Sequence, residues 1–263
     1  MAKFANTFKL PKSRLSSASR WLISCLVLIS LIAFTSRKQA IRTIPDIKVL
    51  LVEQEGLHFV NADQVHALVQ THVLDDIKKS GAEGKLHLGR IERQLERNAF
   101  IHEASISQGL NGSLLVEVVQ TRPIARIIGF RGTDYYLSEE GRSMPVSPLY
   151  TSRVMTMEGP GARVLIEKDP KTDSAAKALF TFVRKLQTDG FWQKQIAGLE
   201  INSKGEILMF PQVGQQVLEF GNTEETESKM RRLMAFYRHI MPIKGWGRYG
   251  LVSVKYKNQI ICQ

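Results

Sequence analysis

The sequence predicts an α+β chain with a single N-terminal transmembrane helix, a small β-α-α-β-β unit, and a β-rich unit carrying two helices. Three observations predict it. Trp21 to Ser36, WLISCLVLISLIAFTS, is one long uncharged apolar run. After it, short runs of strand-forming residues alternate with four stretches whose apolar residues recur at helical spacing. Between the two groups of elements stands Arg122-Pro123, where proline cannot donate to a sheet ladder and holds Arg122 extended, which suits a hinge between domains. The expected organisation is a basic head over 1–20, a transmembrane helix over 21–36, a linker over 37–45, a small domain over 46–123 and a β-rich domain over 124–263.

Arg20 and Arg37 bracket 16 uncharged residues. As a helix these rise about 24 Å, against a hydrocarbon core of about 30 Å. Snorkelling arginines and an interfacial Trp21 cover the deficit. A cleaved signal peptide is the competing reading, but Ile32 to Ser36 offers no A-x-A cleavage site. Lys9, Lys12, Arg14 and Arg20 before the span are matched by Arg37, Lys38, Arg42 and Lys48 after it, so charge does not orient it. The large body downstream does: long domains translocate regardless of charge, which puts the N-terminus in the cytoplasm and the body across the membrane.

The formal charge of +11 invites a nucleic-acid reading. Eight of the positive charges (Lys3, Lys9, Lys12, Arg14, Arg20, Arg37, Lys38, Arg42) precede residue 43, where no acid occurs, leaving +3 for the body. Basicity therefore belongs to the anchor and its flanks, where anionic lipid suits it, and a basic groove on the folded part is excluded. The two cysteines are Cys25, within the span, and Cys262, next to the last residue, so no disulfide framework or cysteine metal site is expected.

Along the body, Ile47 to Val52 reads as the first strand. Asn61 with Gln64 three residues on opens a helix that turns Val65, Leu68 and Val69 inward. A loop with Gly81 and Gly84 leads to a second helix, on which Leu88, Ile91 and Leu95 share a face, stopping near Asn98. Glu103 to Gln108 and Leu114 to Gln120 form a hairpin about Asn111-Gly112. This strand, helix, helix, strand, strand order is that of POTRA domains.

In the second part, Asp134 to Leu137 and Met144 to Val146 flank a turn at Glu140-Gly141, and Val154 to Met157 is a strand closed by Gly159-Pro160-Gly161. Leu179, Phe180, Val183 and Leu186 give one face of a helix over about 172–188. Strands follow at Ile196 to Asn202, Glu206 to Phe210 and Gln216 to Phe220. Asn222-Thr223-Glu224-Glu225 resembles a capping box ahead of a helix that buries Met230, Leu233, Met234 and Tyr237 and ends at Pro242. Leu251 to Cys262 alternates as a final strand at or near a sheet edge.

These features in this order resemble the FtsQ/DivIB family. The residues carrying the resemblance are Asn98 to Ala104, the hairpin into Val116-Glu117-Val118, Arg122-Pro123-Ile124-Ala125, Tyr135-Tyr136-Leu137 before Gly141, and Tyr249 with Val252 to Gln259. The chain departs from better-known members at Gln120-Thr121, at Gln259, and in having no tail after Gln263. The resemblance implies a non-catalytic, single-pass inner-membrane scaffold of the bacterial division machinery, enriched at the septum, with its body in the periplasm. It implies FtsB and FtsL as partners of the β domain, FtsK as a partner of the POTRA part, and links to the septal synthesis proteins FtsW and FtsI. By the same resemblance, Tyr256, Lys257, Asn258, Gln259 and Ile260 are the expected contact residues, with Arg248 and Tyr249 second. Strand addition at the last strand is the expected mode.

No motif for catalysis, cofactor or metal stands against this. The six histidines make no H-E-x-x-H pair. Asp75-Asp76, ahead of Lys78-Lys79, reads as a solvated turn rather than a catalytic pair. Gly159-Pro160-Gly161 lacks phosphate-loop spacing, and no G-x-S-x-G elbow occurs. Trp246, Tyr249 and Tyr256 read as core from the residues alone; the resemblance alone points Tyr256 to the surface. Two other function classes remain open. A POTRA-bearing chaperone or translocation component for envelope proteins needs repeated units or a barrel, and a glycan-cleaving enzyme needs converging carboxylates.

Overall fold

A computed structural model describes Trp21, residues 24–28 and 30, and residues 45–52, 56–80 and 86–263. Most of the expected membrane anchor, and the loop with Gly81 and Gly84, lie outside the described residues. Among those described, no helix is long and apolar enough to cross a membrane.

Among the described residues the chain is α+β, built on two sheets. The smaller has the order β1-β3-β2, from β1 (Ile47–Leu51), β2 (Ile101–Gln108) and β3 (Leu114–Gln120), with β1 parallel and β2 antiparallel to the central β3. Helices α1 (Ala62–Ser80) and α2 (Leu88–Leu95) turn Val65, Val69, Val73, Ile91 and Leu95 onto it, against Ile106, Leu114, Val116 and Val118. The capping box expected at Asn61 forms in both directions. Gln64 N donates to Asn61 Oδ1 at 2.8 Å and Asn61 N to Gln64 Oε1 at 3.2 Å.

The larger sheet has nine strands in the order β12-β11-β10-β9-β8-β7-β4-β5-β6. They are β4 (Pro123–Phe130), β5 (Thr133–Ser138), β6 (Ser143–Pro145), β7 (Met155–Glu158), β8 (Ile196–Ile201), β9 (Ile207–Pro211), β10 (Val217–Gly221), β11 (Leu251–Ser253) and β12 (Ile261–Cys262). Between β7 and β8 run short α3 (Val164–Glu167), α4 (Ser174–Thr188) and short α5 (Trp192–Gln195). The long face of α4 packs against the sheet through Leu179, Phe182, Val183 and Leu186; Phe182, not the expected Phe180, is the fully buried ring, meeting Phe220 at 4.7 Å. Between β10 and β11 run α6 (Thr226–Ala235), a π-helical turn (Phe236–Ile240) and α7 (Met241–Lys244). The π turn absorbs the missing donor of Pro242, so the chain stays helical past the residue expected to end it.

Three local expectations are corrected. Asp75 and Asp76 lie on α1, and Asp76 is only 2% exposed. Its carboxylate accepts from His87 N at 2.8 Å and from Arg90 at 3.0 Å, so it closes the N-terminus of α2 instead of sitting on a solvated turn. The capping box at Asn222 does not form: α6 starts at Thr226 after Glu225 in the left-handed region (φ 50°), and Asn222 Oδ1 accepts from Lys229 Nζ at 2.9 Å. Finally, the last strand is not continuous: β11 stops at Ser253 and β12 begins at Ile261.

Candidate functional site: the C-terminal sheet edge

β11 ends at Ser253, and the chain leaves the sheet through a turn at 255–259 before returning as β12, antiparallel to β11. Tyr256, Lys257 and Asn258 form the bend and turn, Asn258 with φ 57°, and Gln259 and Ile260 lead into β12. The expected strand is broken because two anchors hold its middle out of register. Val254 is buried, its N–H donates to Glu219 at 3.0 Å, and its carbonyl accepts from Arg232 at 2.8 Å. Asn258 then takes the left-handed conformation, which asparagine tolerates better than most residues.

β12 is the edge of the nine-stranded sheet. Gln263 and Leu251 exchange both backbone bonds, at 2.9 and 3.1 Å. Antiparallel partners alternate between bonded and non-bonded pairs, and Val252 opposite Cys262 is the next pair along. The N–H and C=O of Cys262 therefore face the open edge, while those of Ile261 and Gln263 face β11. The opposite edge is blunted: β6 is three residues long and ends in Pro145.

Beside the turn lies a charged groove lined by Lys204, Glu206, Lys229, Arg232, Lys255 and Lys257, with Glu224, Glu225 and Tyr256. Lys255 Nζ reaches Glu206 at 2.7 Å and Glu219 at 3.6 Å, and Lys257 Nζ reaches Glu225 at 3.2 Å. The bond from Lys255, backed by one from Asn202, lowers the Glu206 pKa, and Glu206 in turn raises that of Lys255. Lys229 is 5% exposed; its ammonium donates to the Asn222 carbonyl at 2.8 Å and lies 5.2 Å from the Phe220 ring centroid, and burial lowers its pKa. Arg232 Nε is buried without a hydrogen-bond partner.

Of the residues singled out from sequence, Tyr256 to Ile260 are thus gathered in one segment, and Tyr256 is 49% exposed. Trp246 is exposed as well, so neither belongs to the core, whereas Tyr249 packs partly buried against Phe236 at 6.1 Å. Arg248 lies exposed on the segment leading into β11. Arg122 and Pro123 stand where β3 passes into β4, with Arg122 paired to Glu139 at 3.3 Å. Sequence reasoning missed Lys204, Glu206, Lys229, Arg232 and Lys255 as neighbours of this turn. Only the pairing of β10 with both β9 and β11 brings them together.

Among the described residues, no group of three or more His, Cys, Asp or Glu side chains could hold a metal ion. A comparison with curated proteins finds no match. The family described as FtsQ/DivIB, C-terminal related, matches residues 122–263, which contain the whole nine-stranded sheet with its open edge. Covering more than half of the sequence, that match makes the chain a member of the FtsQ/DivIB family of cell-division proteins.

Proposed function

We propose that the chain is a non-catalytic scaffold of the division machinery, held in the membrane by residues 21–36, with its body on the far side and enriched at the septum. The small β-α-α-β-β unit acts as a POTRA-like domain joined near Arg122-Pro123 to the β domain. A partner strand adds to the β12 edge, with Tyr256 to Ile260 contacting it and Arg248 and Tyr249 flanking. FtsB, working with FtsL, is the proposed occupant, and FtsK, FtsW and FtsI are the further partners of the assembly. The observation that carries the reading is the open edge at Cys262 beside a turn rich in exposed polar groups, since unpaired main-chain groups are what strand addition uses.

Cys262→Pro is the direct test. It removes the outward N–H and leaves the Gln263–Leu251 and Ile261–Ser253 pairs in place. Retention of FtsB should fall about tenfold or more in a pull-down, the loss of roughly one well-made hydrogen bond and its neighbours. Wild-type retention by Cys262→Pro and by Lys257→Glu together would refute the site. Depletion in the host should give filamentous, unseptated cells.

A further inference from the structure

A second cleft, of about 1020 Å³, opens on the other side of the β domain. It runs between residues 56–57, the β3–β4 crossing, the turn at Glu139-Glu140, the segment 150–154 and the C-terminal end of α4. Three guanidiniums line it, from Arg122, Arg153 and Arg184. Its two acids are already engaged: Glu139 by Arg122 at 3.3 Å and Glu140 by His102 at 3.3 Å. Arg153 and Arg184 have no carboxylate partner among the described residues, and the contact shown for Arg184 is the Phe180 ring at 5.6 Å. Both are exposed.

Arg153 and Arg184 call for anionic groups on an occupant, while Glu139 and Glu140 in the same cleft disfavour dense negative charge. A uniform polyanion fails the second condition, because Glu139 and Glu140 repel it. A peptide satisfies both, with spaced carboxylate side chains for the guanidinium forks and neutral backbone beside the glutamates. Gln187 and Gln193, which also line the cleft, can bond either the N–H or the C=O of an extended backbone.

We propose that this cleft docks an extended acidic peptide segment of a partner protein, a second contact separate from the β12 edge. Because its walls join residues 56–57, from the segment after β1, to residues of the nine-stranded unit, the peptide bridges the β3–β4 crossing and holds the two parts of the body in one arrangement.

The test uses the full-length chain in detergent and a short fluorescein-labelled peptide alternating glutamate with glycine and serine. Fluorescence anisotropy should show binding that weakens with salt, as for any partly exposed ion pair. The glutamine counterpart should bind about tenfold more weakly or not at all, and Arg153→Glu and Arg184→Glu should each weaken the acidic peptide by about tenfold or more, with unchanged melting curves. Lys257→Glu, at the β12 turn, should leave this binding unchanged while affecting the proposed strand-addition site. Equal binding of both peptides, or indifference to both arginine reversals, would overturn the proposal. So would a heparin oligosaccharide that outcompetes the peptide and depends on the same arginines, which would assign the cleft to an anionic glycan.

Discussion

Gln120 Oε1 accepts from Phe59 N at 2.9 Å and from Val60 N at 3.1 Å, while its Nε2 donates to the Leu57 carbonyl at 3.1 Å. One buried amide thus ties the segment 57–60 to the end of β3. Phe59 is thereby set among Phe100, stacked at 5.4 Å, and Tyr136 and Tyr150, edge-on at 5.6 and 5.0 Å. This small cluster, with Leu57 and Met144, joins the two sheets. Gln120→Leu leaves two N–H groups and one carbonyl buried without partners. A loss of about 2–4 kcal/mol is expected in urea unfolding, since each orphaned group costs about 1–3 kcal/mol and water recovers part of it. Gln120→Glu should also destabilise at neutral pH, because its carboxylate faces the Leu57 carbonyl, and it should recover as acid protonates it.

The open edge of β2 is guarded. Glu92 Oε1 on α2 accepts from Ile106 N at 2.7 Å, and Glu96 Oε1 more weakly from Ala104 N at 3.5 Å. Two carboxylates one helical turn apart thus stand where a neighbouring strand would supply carbonyls, a device that blocks unwanted pairing. Glu92→Ala should expose the Ile106 amide to hydrogen exchange about tenfold faster or more, corresponding to about 1.4 kcal/mol. The Ser105 and Ser107 amides, which alternation turns toward β3, should keep their protection.

Gly161 is a packing requirement. A Cβ there would meet the Asn202 carbonyl oxygen at 2.3 Å and Ile201 Cγ2 at 2.4 Å, both on or next to β8. Gly161→Ala must push the turn off the sheet, and a loss of about 1–3 kcal/mol in thermal unfolding is expected. Phosphate should have no effect on that melting temperature.

Asp173 caps α4, accepting from Ala175 N and Ala176 N at 3.0 Å, and pairs with Lys168 at 2.8 Å. The Lys168 bond first, then the helix N–H groups, hold its pKa below the ordinary carboxylate value. A depressed carboxylate adds stability above its unfolded pKa and loses it as pH falls through the folded value. Asp173→Asn keeps the cap without the charge. Its melting temperature should lie below that of the parent at neutral pH, and the gap should close as the pH is lowered past the carboxylate range.

Local structure was legible in the order of the residues. Asn61 with Gln64, the 3.6-residue spacing of Leu88, Ile91 and Leu95, and the Asn111-Gly112 turn each act over a few residues, and the elements stand near where those patterns put them. The alternation at Val252 and Val254 did not carry the same weight, since Ser253 between them is buried too and the strand stops there. β4 was not legible, because Pro123 signals a break and Ile124 to Phe130 lacks strict alternation; it is a strand only because β5 and β7 flank it. Asp76, read as solvated from its charged neighbours, is buried because α2 brings His87 and Arg90 to it from beyond the end of its own helix. The candidate site divides the same way. Tyr256 to Ile260 were singled out by the family resemblance alone, and their form as a turn depends on Arg232 gripping the Val254 carbonyl, while the exposure of β12 depends on where β11 lands beside β10. Periodicity fixes which face of an element is apolar, whereas the edge of a sheet and the partner of a buried charge are set by contacts between residues far apart in the chain, which only the assembled fold brings together.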